Sequence, residues 1–216
     1  MGSHSASKAR MQHTDDATLN YYREHAREVF ERYEAVEQSS IAAHFLSSLQ
    51  PNSRVIDVGA GSGRDLRKLM ELGFDAYGAE PADELRQLAI DKHPQLKDRL
   101  FAGSLPGGLT TYRKYDAVVC SAVLMHIPPN QLFDAILALR DALNEQGRLL
   151  ISIPATRPDI DENHRDHNGR LFSPVTPDQL KLLCKRLAFE CIAEHINDDA
   201  LGRSETTWHT LLFVRQ

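Results

Sequence analysis

The chain has 216 residues, 25 Lys+Arg against 30 Asp+Glu, a formal net charge of −5, 42% hydrophobic residues and three cysteines. That length fits one domain with its own core, and the composition excludes collagen-like, coiled-coil and disordered classes. The mild acidity argues against broad nucleic-acid binding, which needs a basic surface to displace counterions, and no apolar run reaches the roughly 18 residues that cross a bilayer.

Residues 1–18 are polar and lack a signal-type apolar stretch, so a flexible tail is expected there, its opening Met-Gly-Ser-His-Ser reading partly as a tag remnant. Cys120, Cys184 and Cys191 are odd in number and far apart in sequence, which is no disulfide framework; Cys184 and Cys191 read as core residues, and the cytosol is the default compartment. Residues 19–216 are expected to form a single domain, with 19–50 as an N-terminal helical cap. Val29, Tyr33 and Val36, then Ile41, Phe45 and Leu49, recur at helical spacing, predicting one bent helix or two consecutive helices ended by Pro51.

Strands and helices then alternate. Strands are expected over 54–58, 74–79, 99–102, 115–121 and 148–153, with helices over 65–72, 82–92 and 131–143 between them. This rhythm predicts right-handed βαβ crossovers and a mostly parallel sheet with helices on both faces. A helix over 177–187 leads into strands over 189–196 and 207–214 that only a loop separates, so these are expected to pair antiparallel. Residues 154–176 are polar and aperiodic, as in a functional lid or a disordered loop.

The strongest motif is Val55-Ile-Asp57-Val-Gly59-Ala60-Gly61-Ser-Gly63-Arg64-Asp65, placed between the first strand and its helix. Glycines there allow a sharp turn and a close approach of backbone to ligand. In the dinucleotide fingerprint the third glycine would fall at position 64, which is arginine here, so NAD and FAD are disfavoured. Glu80 ends the second strand, where a carboxylate accepts hydrogen bonds from ribose hydroxyls. Asp57 faces the same crevice and suits an ammonium group. Adenosine at one end and a cation at the other describe S-adenosylmethionine.

On these residues the chain resembles the class I S-adenosylmethionine-dependent methyltransferases over roughly 20–216. Asp57-Val-Gly59-Ala60-Gly61-Ser-Gly63 matches the loop that contacts the cofactor's methionine part, and Glu80 matches the ribose-binding acid. Pro81 follows where the family packs the adenine. Phe101-Ala-Gly-Ser104-Leu105-Pro106 matches the segment whose aspartate pairs with the adenine amino group, with Ser104 standing in that place. The stretch from Tyr115 to His126, which includes Ser121, matches the fourth strand and its turn. The resemblance implies a Rossmann-like, doubly wound seven-stranded α/β sheet with an antiparallel last strand. It also implies S-adenosylmethionine as cofactor, bound by Asp57, Gly59, Ala60, Gly61, Gly63, Asp65, Glu80, Pro81, Ser104, Leu105 and Ser121.

Methyl transfer from a sulfonium is an in-line displacement, so alignment dominates and a base matters only where the nucleophile carries a proton. His126, just past the fourth strand, is the candidate base; equally, it could only hydrogen-bond the following loop. Ser121-Ala-Val-Leu replaces the Asn/Asp-Pro-Pro-aromatic signature of enzymes that methylate exocyclic amines of bases or glutamine amides, which disfavours that class. Tyr21, Tyr22, Arg157, Arg203 and Trp208 are the candidate acceptor contacts, and Arg157, Arg165 or Arg170 could meet an anion. His164 and His167, beside Asp159, Asp161 and Glu162, read as a polar loop rather than a metal site. The expected function is methyl transfer to an O, N or S nucleophile of a small molecule, without membrane or nucleic-acid partners. Methylation of tRNA or protein, and a non-catalytic S-adenosylmethionine-binding domain, remain alternatives; nothing in the sequence sets the oligomeric state.

Overall fold

The computed structural model describes residues 15–36, 41, 43–109, 113–199 and 206–216. Helices α1 (Asp16–Glu24) and α2 (Ala26–Glu34) precede α3 (Ala43–Ser47). The expected cap is therefore broken at His25 into separate helices. The break lets Leu19 and Tyr21 of α1 and Ala26 and Val29 of α2 share one apolar cluster with Ala82 and Leu85. Order also begins before residue 19. Asp15 caps α1 by accepting from the Thr18 N–H at 3.0 Å, and Thr18 itself is buried.

The alternating part follows as β1 (Arg54–Val58), α4 (Arg64–Glu71), β2 (Asp75–Ala79), α5 (Asp83–Lys92), β3 (Leu100–Phe101), β4 (Tyr115–Ser121), α6 (Leu132–Ala142) and β5 (Leu143–Pro154). Then come α7 (Pro177–Arg186), β6 (Phe189–Asp198) and β7 (Thr207–Arg215). The strands form one seven-stranded sheet in the order β3-β2-β1-β4-β5-β7-β6. β7 is antiparallel to both β5 and β6, so the pair expected at the chain's end is present, with the later strand inserted inside the sheet.

Period-two alternation sorts the strand side chains onto two faces. Ile56, Val118, Leu149, Ile151 and Phe213 meet Ile136 and Leu139 of α6 and Leu180 of α7. Val55, Ala117, Val119 and Leu150 meet Phe45 of α3 and Leu66 and Leu69 of α4. Cys120 and Cys184 are buried in this core, whereas Cys191 is exposed, because β6 is an edge strand that shows most of its residues to solvent.

From β1 the crossovers run outward in opposite directions, to β2 and β3 on one side and to β4 and β5 on the other. The crevice between the carboxyl ends of β1 and β4 is the topological switch point where open α/β sheets bind ligands.

Candidate active site

A cleft of about 1070 Å³ opens at that crevice. Its floor is the glycine turn. Gly59, Gly61 and Gly63 have φ of +76°, +57° and +75°, the left-handed region that side-chain-bearing residues seldom adopt. The Gly59 and Ala60 N–H groups donate to the Ala79 carbonyl at 2.8 and 3.0 Å, which ties the turn to the end of β2. Glu34, at the end of α2, accepts from Ser62 Oγ, Arg67 Nη2 and His93 Nε2, each at 2.8 Å, and so pins the cap to the turn and to α4 and α5.

Asp57, Gly59, Ala60, Gly61, Asp65 and Glu80 line one half of the cleft, together with Pro81, Ser104, Leu105 and Ser121. Gly63 does not line it. A Cβ there would stand 2.5 Å from Leu96 Cδ1, so this glycine serves the packing of α4 against the chain after α5. Glu80 Oε2 accepts from the Gly61 N–H and Oε1 from the Ala82 N–H, both at 2.9 Å. Burial outweighs these bonds and raises the Glu80 carboxyl above the usual carboxylate range. Asp57 is raised well above it, first by burial and then by the negative charge of Asp65. Two buried carboxylates flanking the glycine turn are stabilised by a ligand that brings ribose hydroxyls and a positive charge. The residues present therefore fit S-adenosylmethionine.

The other half of the cleft is roofed by α1 and the segment 155–175. His126 lies in a single 3₁₀ turn, Leu124–His126, after β4. Its Nδ1–H donates to the Leu171 carbonyl at 2.6 Å, and its Nε2 stands 3.2 Å from the Tyr22 hydroxyl. A carbonyl can only accept, so the proton of the neutral ring is on Nδ1 and Nε2 is the acceptor for Tyr22. Burial, with Arg170 and Arg157 nearby, lowers the His126 pKa to about 4, so the ring is neutral at pH 7. Tyr21, Tyr22, Arg157 and Trp208 all line this half, and the Trp208 indole donates to Asp199 Oδ1 at 2.8 Å. Arg203 lies outside the described residues.

The arginines expected to meet an anion are already paired. Arg157 grips Asp159 through Nε and Nη2 at 2.7 and 2.6 Å, with its guanidinium 3.9 Å from the Phe172 ring centre. Arg165 spans 150 residues to hold both oxygens of Asp15 at 2.9 and 2.7 Å. Arg170 donates to Asp166 Oδ2 and lies over the Tyr21 ring. Asp159, Asp166 and His167 come close enough to hold a metal ion. Asp166, however, already accepts from Arg170 and from the Asn168 and Arg170 N–H groups, which is how an aspartate folds a loop.

Sequence reasoning missed Thr18, Tyr33 and Phe172 as cleft residues. Tyr33 has helical spacing that reads as core, yet its ring packs 3.1 Å from where a Cβ of Gly61 would be. Thr18 falls in the presumed tail, but its hydroxyl accepts from the Leu171 N–H at 2.8 Å.

A family model described as "Methyltransferase domain" matches residues 22–194. An uncharacterized methyltransferase of Alkaliphilus oremlandii is 28% identical over 175 residues, covering 79% of this chain and 73% of that protein. One of Staphylococcus carnosus is 28% identical over 137 residues, covering 63% of this chain and 60% of that protein. In fold the chain is similar to the 1,6-didemethyltoxoflavin-N1-methyltransferase of Burkholderia thailandensis, solved with 1,6-didemethyltoxoflavin and S-adenosylhomocysteine. There the TM-score is 0.73 at 17% identity, covering 93% of this chain and 88% of that one. It is also similar to the magnesium protoporphyrin IX methyltransferase of Synechocystis PCC 6803 with S-adenosylmethionine bound, at a TM-score of 0.65 and 16% identity, covering 92% and 97%. The switch-point cleft, its glycine turn and the match over most of the length place the chain in the methyltransferase domain family, as a class I enzyme dependent on S-adenosylmethionine.

Proposed function

We propose that the enzyme methylates an O, N or S nucleophile of a small molecule. The observation that carries this reading is the roof. Asp15 to Arg165, Thr18 to Leu171 and Tyr22 to His126 tie α1 to the opposite side of the cleft, across the acceptor half. A roofed space suits a small acceptor better than a nucleotide or side chain presented on a macromolecule. Asp198 and Asp199 among the lining residues further disfavour RNA, whose phosphates call for cations. The Burkholderia enzyme, solved with 1,6-didemethyltoxoflavin bound, is a precedent for this scaffold.

When bound, S-adenosylmethionine supplies a methyl group whose bond to sulfur breaks as the acceptor's bond to carbon forms, the electron pair leaving with sulfur. The chain's own residues orient and exclude water. Asp57 and Glu80 would hold the ammonium and ribose, with Gly59, Ala60, Gly61, Asp65, Pro81, Ser104, Leu105 and Ser121 around them. Tyr21, Tyr22, Arg157 and Trp208 shape the acceptor space, and His126 is the base that allows the acceptor to lose a proton where it carries one. Free thiols, two of them buried, fit a reducing cytoplasm. No helix among the described residues is long and apolar enough to cross a membrane.

The test is methyl-labelled S-adenosylmethionine with cell extract, separated by size. Label in the small-molecule fraction is expected; label confined to RNA or protein overturns the reading. Calorimetric binding of S-adenosylhomocysteine without any transfer would favour a binding domain.

A further inference from the structure

Resting on the small-acceptor reading above, we infer that Tyr22 is a further catalytic residue, the group that receives the acceptor's proton while passing its own to His126. Because the Leu171 carbonyl fixes the His126 proton on Nδ1, Nε2 offers a lone pair, and the Tyr22 hydroxyl 3.2 Å away is its donor. His126 is 5% exposed and Tyr22 half-buried, and both line the cleft, with the more accessible tyrosine hydrogen-bonded to the histidine. The rings meet edge to face, with centres 5.8 Å apart.

Arg170 also reaches the Tyr22 oxygen. Its Nη1 approaches to 3.4 Å, longer than the 3.2 Å to His126 Nε2, and is the contact an acceptor O–H or N–H replaces. Arg170 is itself held by buried Asp166, so its guanidinium stays in place beside the oxygen.

The proton count closes. The acceptor's X–H bond breaks as X bonds to the methyl carbon, and that proton passes to Tyr22 Oη. The former Tyr22 proton passes to His126 Nε2, leaving an imidazolium with Nδ1–H still on Leu171. After the product leaves, the same path in reverse returns the proton to solvent through the cleft.

The test has two parts. In 15N-labelled protein saturated with S-adenosylhomocysteine, long-range 1H–15N correlation reads the His126 tautomer, expected as Nδ1–H. In parallel, phenol and thiophenol serve as acceptor probes at a pH where the thiol is ionised and brings no proton. Tyr22→Phe keeps the ring and is expected to lower transfer to phenol about a hundredfold while affecting thiophenolate far less. A merely structural role would lower both alike. Equal losses, or a neutral His126 protonated on Nε2, overturn the relay. A wild type that binds S-adenosylhomocysteine and methylates neither probe counts against the small-acceptor reading, and the tautomer alone then decides whether Tyr22 can donate.

Discussion

Glu80 Oε2 accepts the Gly61 N–H at 2.9 Å, so the carboxylate proposed for the ribose also holds the glycine turn at the floor of the cleft. Its second oxygen fixes the Ala82 N–H at the start of α5. One side chain thus sets the spacing between the glycine turn and the adenine side of the cleft.

Replacing Glu80 by alanine should therefore weaken S-adenosylhomocysteine binding by more than the ribose contacts alone. A buried charge-assisted hydrogen bond contributes about 1.5–3 kcal/mol, roughly ten- to a hundredfold in Kd, and the orphaned Gly61 N–H adds to the loss. Isothermal titration measures it, and unchanged affinity removes Glu80 from the ribose site.

Asp57→Asn should separate stability from binding. Burial raises the Asp57 carboxyl well above 3.8, so between the unfolded and folded values the native state carries the extra proton. By linkage the ligand-free fold then loses stability as pH rises through that window. The neutral isostere is free of this loss. It should raise the Tm of the ligand-free protein above the wild type's at pH 7, by about 2–4 °C for each kcal/mol recovered, while weakening the cofactor, whose ammonium loses its counter-charge. Differential scanning calorimetry with and without S-adenosylhomocysteine checks both signs.

Gly63 and Gly73 both have positive φ, but only Gly63 is crowded, its hypothetical Cβ 2.5 Å from Leu96 against nothing within 4 Å at Gly73. Gly73→Ala should cost about 1–2 kcal/mol of left-handed strain. Gly63→Ala should cost about 1–3 kcal/mol more through overpacking. Urea titration gives the comparison; equal costs would mean that Leu96 yields freely.

His126 predicts an acid limb. Its folded pKa is lowered to about 4 from 6.5, so the unfolded chain binds the extra proton between those values. The stability that comes with a neutral ring is full above pH 6.5 and falls as pH drops toward 4. His126→Gln should flatten that part of the stability-against-pH curve. An unchanged slope between pH 4 and 6.5 would show the ring to be solvated.

Local chemistry made the cofactor half legible. Asp57, the glycine turn and Glu80 lie within 24 residues, and each must take its type for a reason of backbone geometry or charge. The acceptor half is built from pairs that spacing does not announce. Arg165 meets Asp15 across 150 residues, and Tyr22 meets His126 across 104. Arginines that read as free cations in a polar loop are paired, Arg165 by a carboxylate the fold brings from Asp15 and Arg157 and Arg170 by neighbours two and four residues away. The exposure of Cys191 escaped for a related reason, since strand periodicity does not tell an edge strand from a central one. Order at Thr18 escaped because a polar, aperiodic end hides a capping residue.

The insertion of β7 between β5 and β6 gives the enzyme an order of assembly. On the ribosome β6 emerges first, but the sheet has no place for it until β7 follows, because β7 is its hydrogen-bonding neighbour. β1 to β5, with Asp57, Glu80 and His126, can be in place while the chain is still being made. Trp208 and Asp199 reach the cleft only with that last hairpin. A chain stopped before Thr207 would lack Trp208 on the cleft wall, and also Leu211, Leu212 and Phe213 of the core.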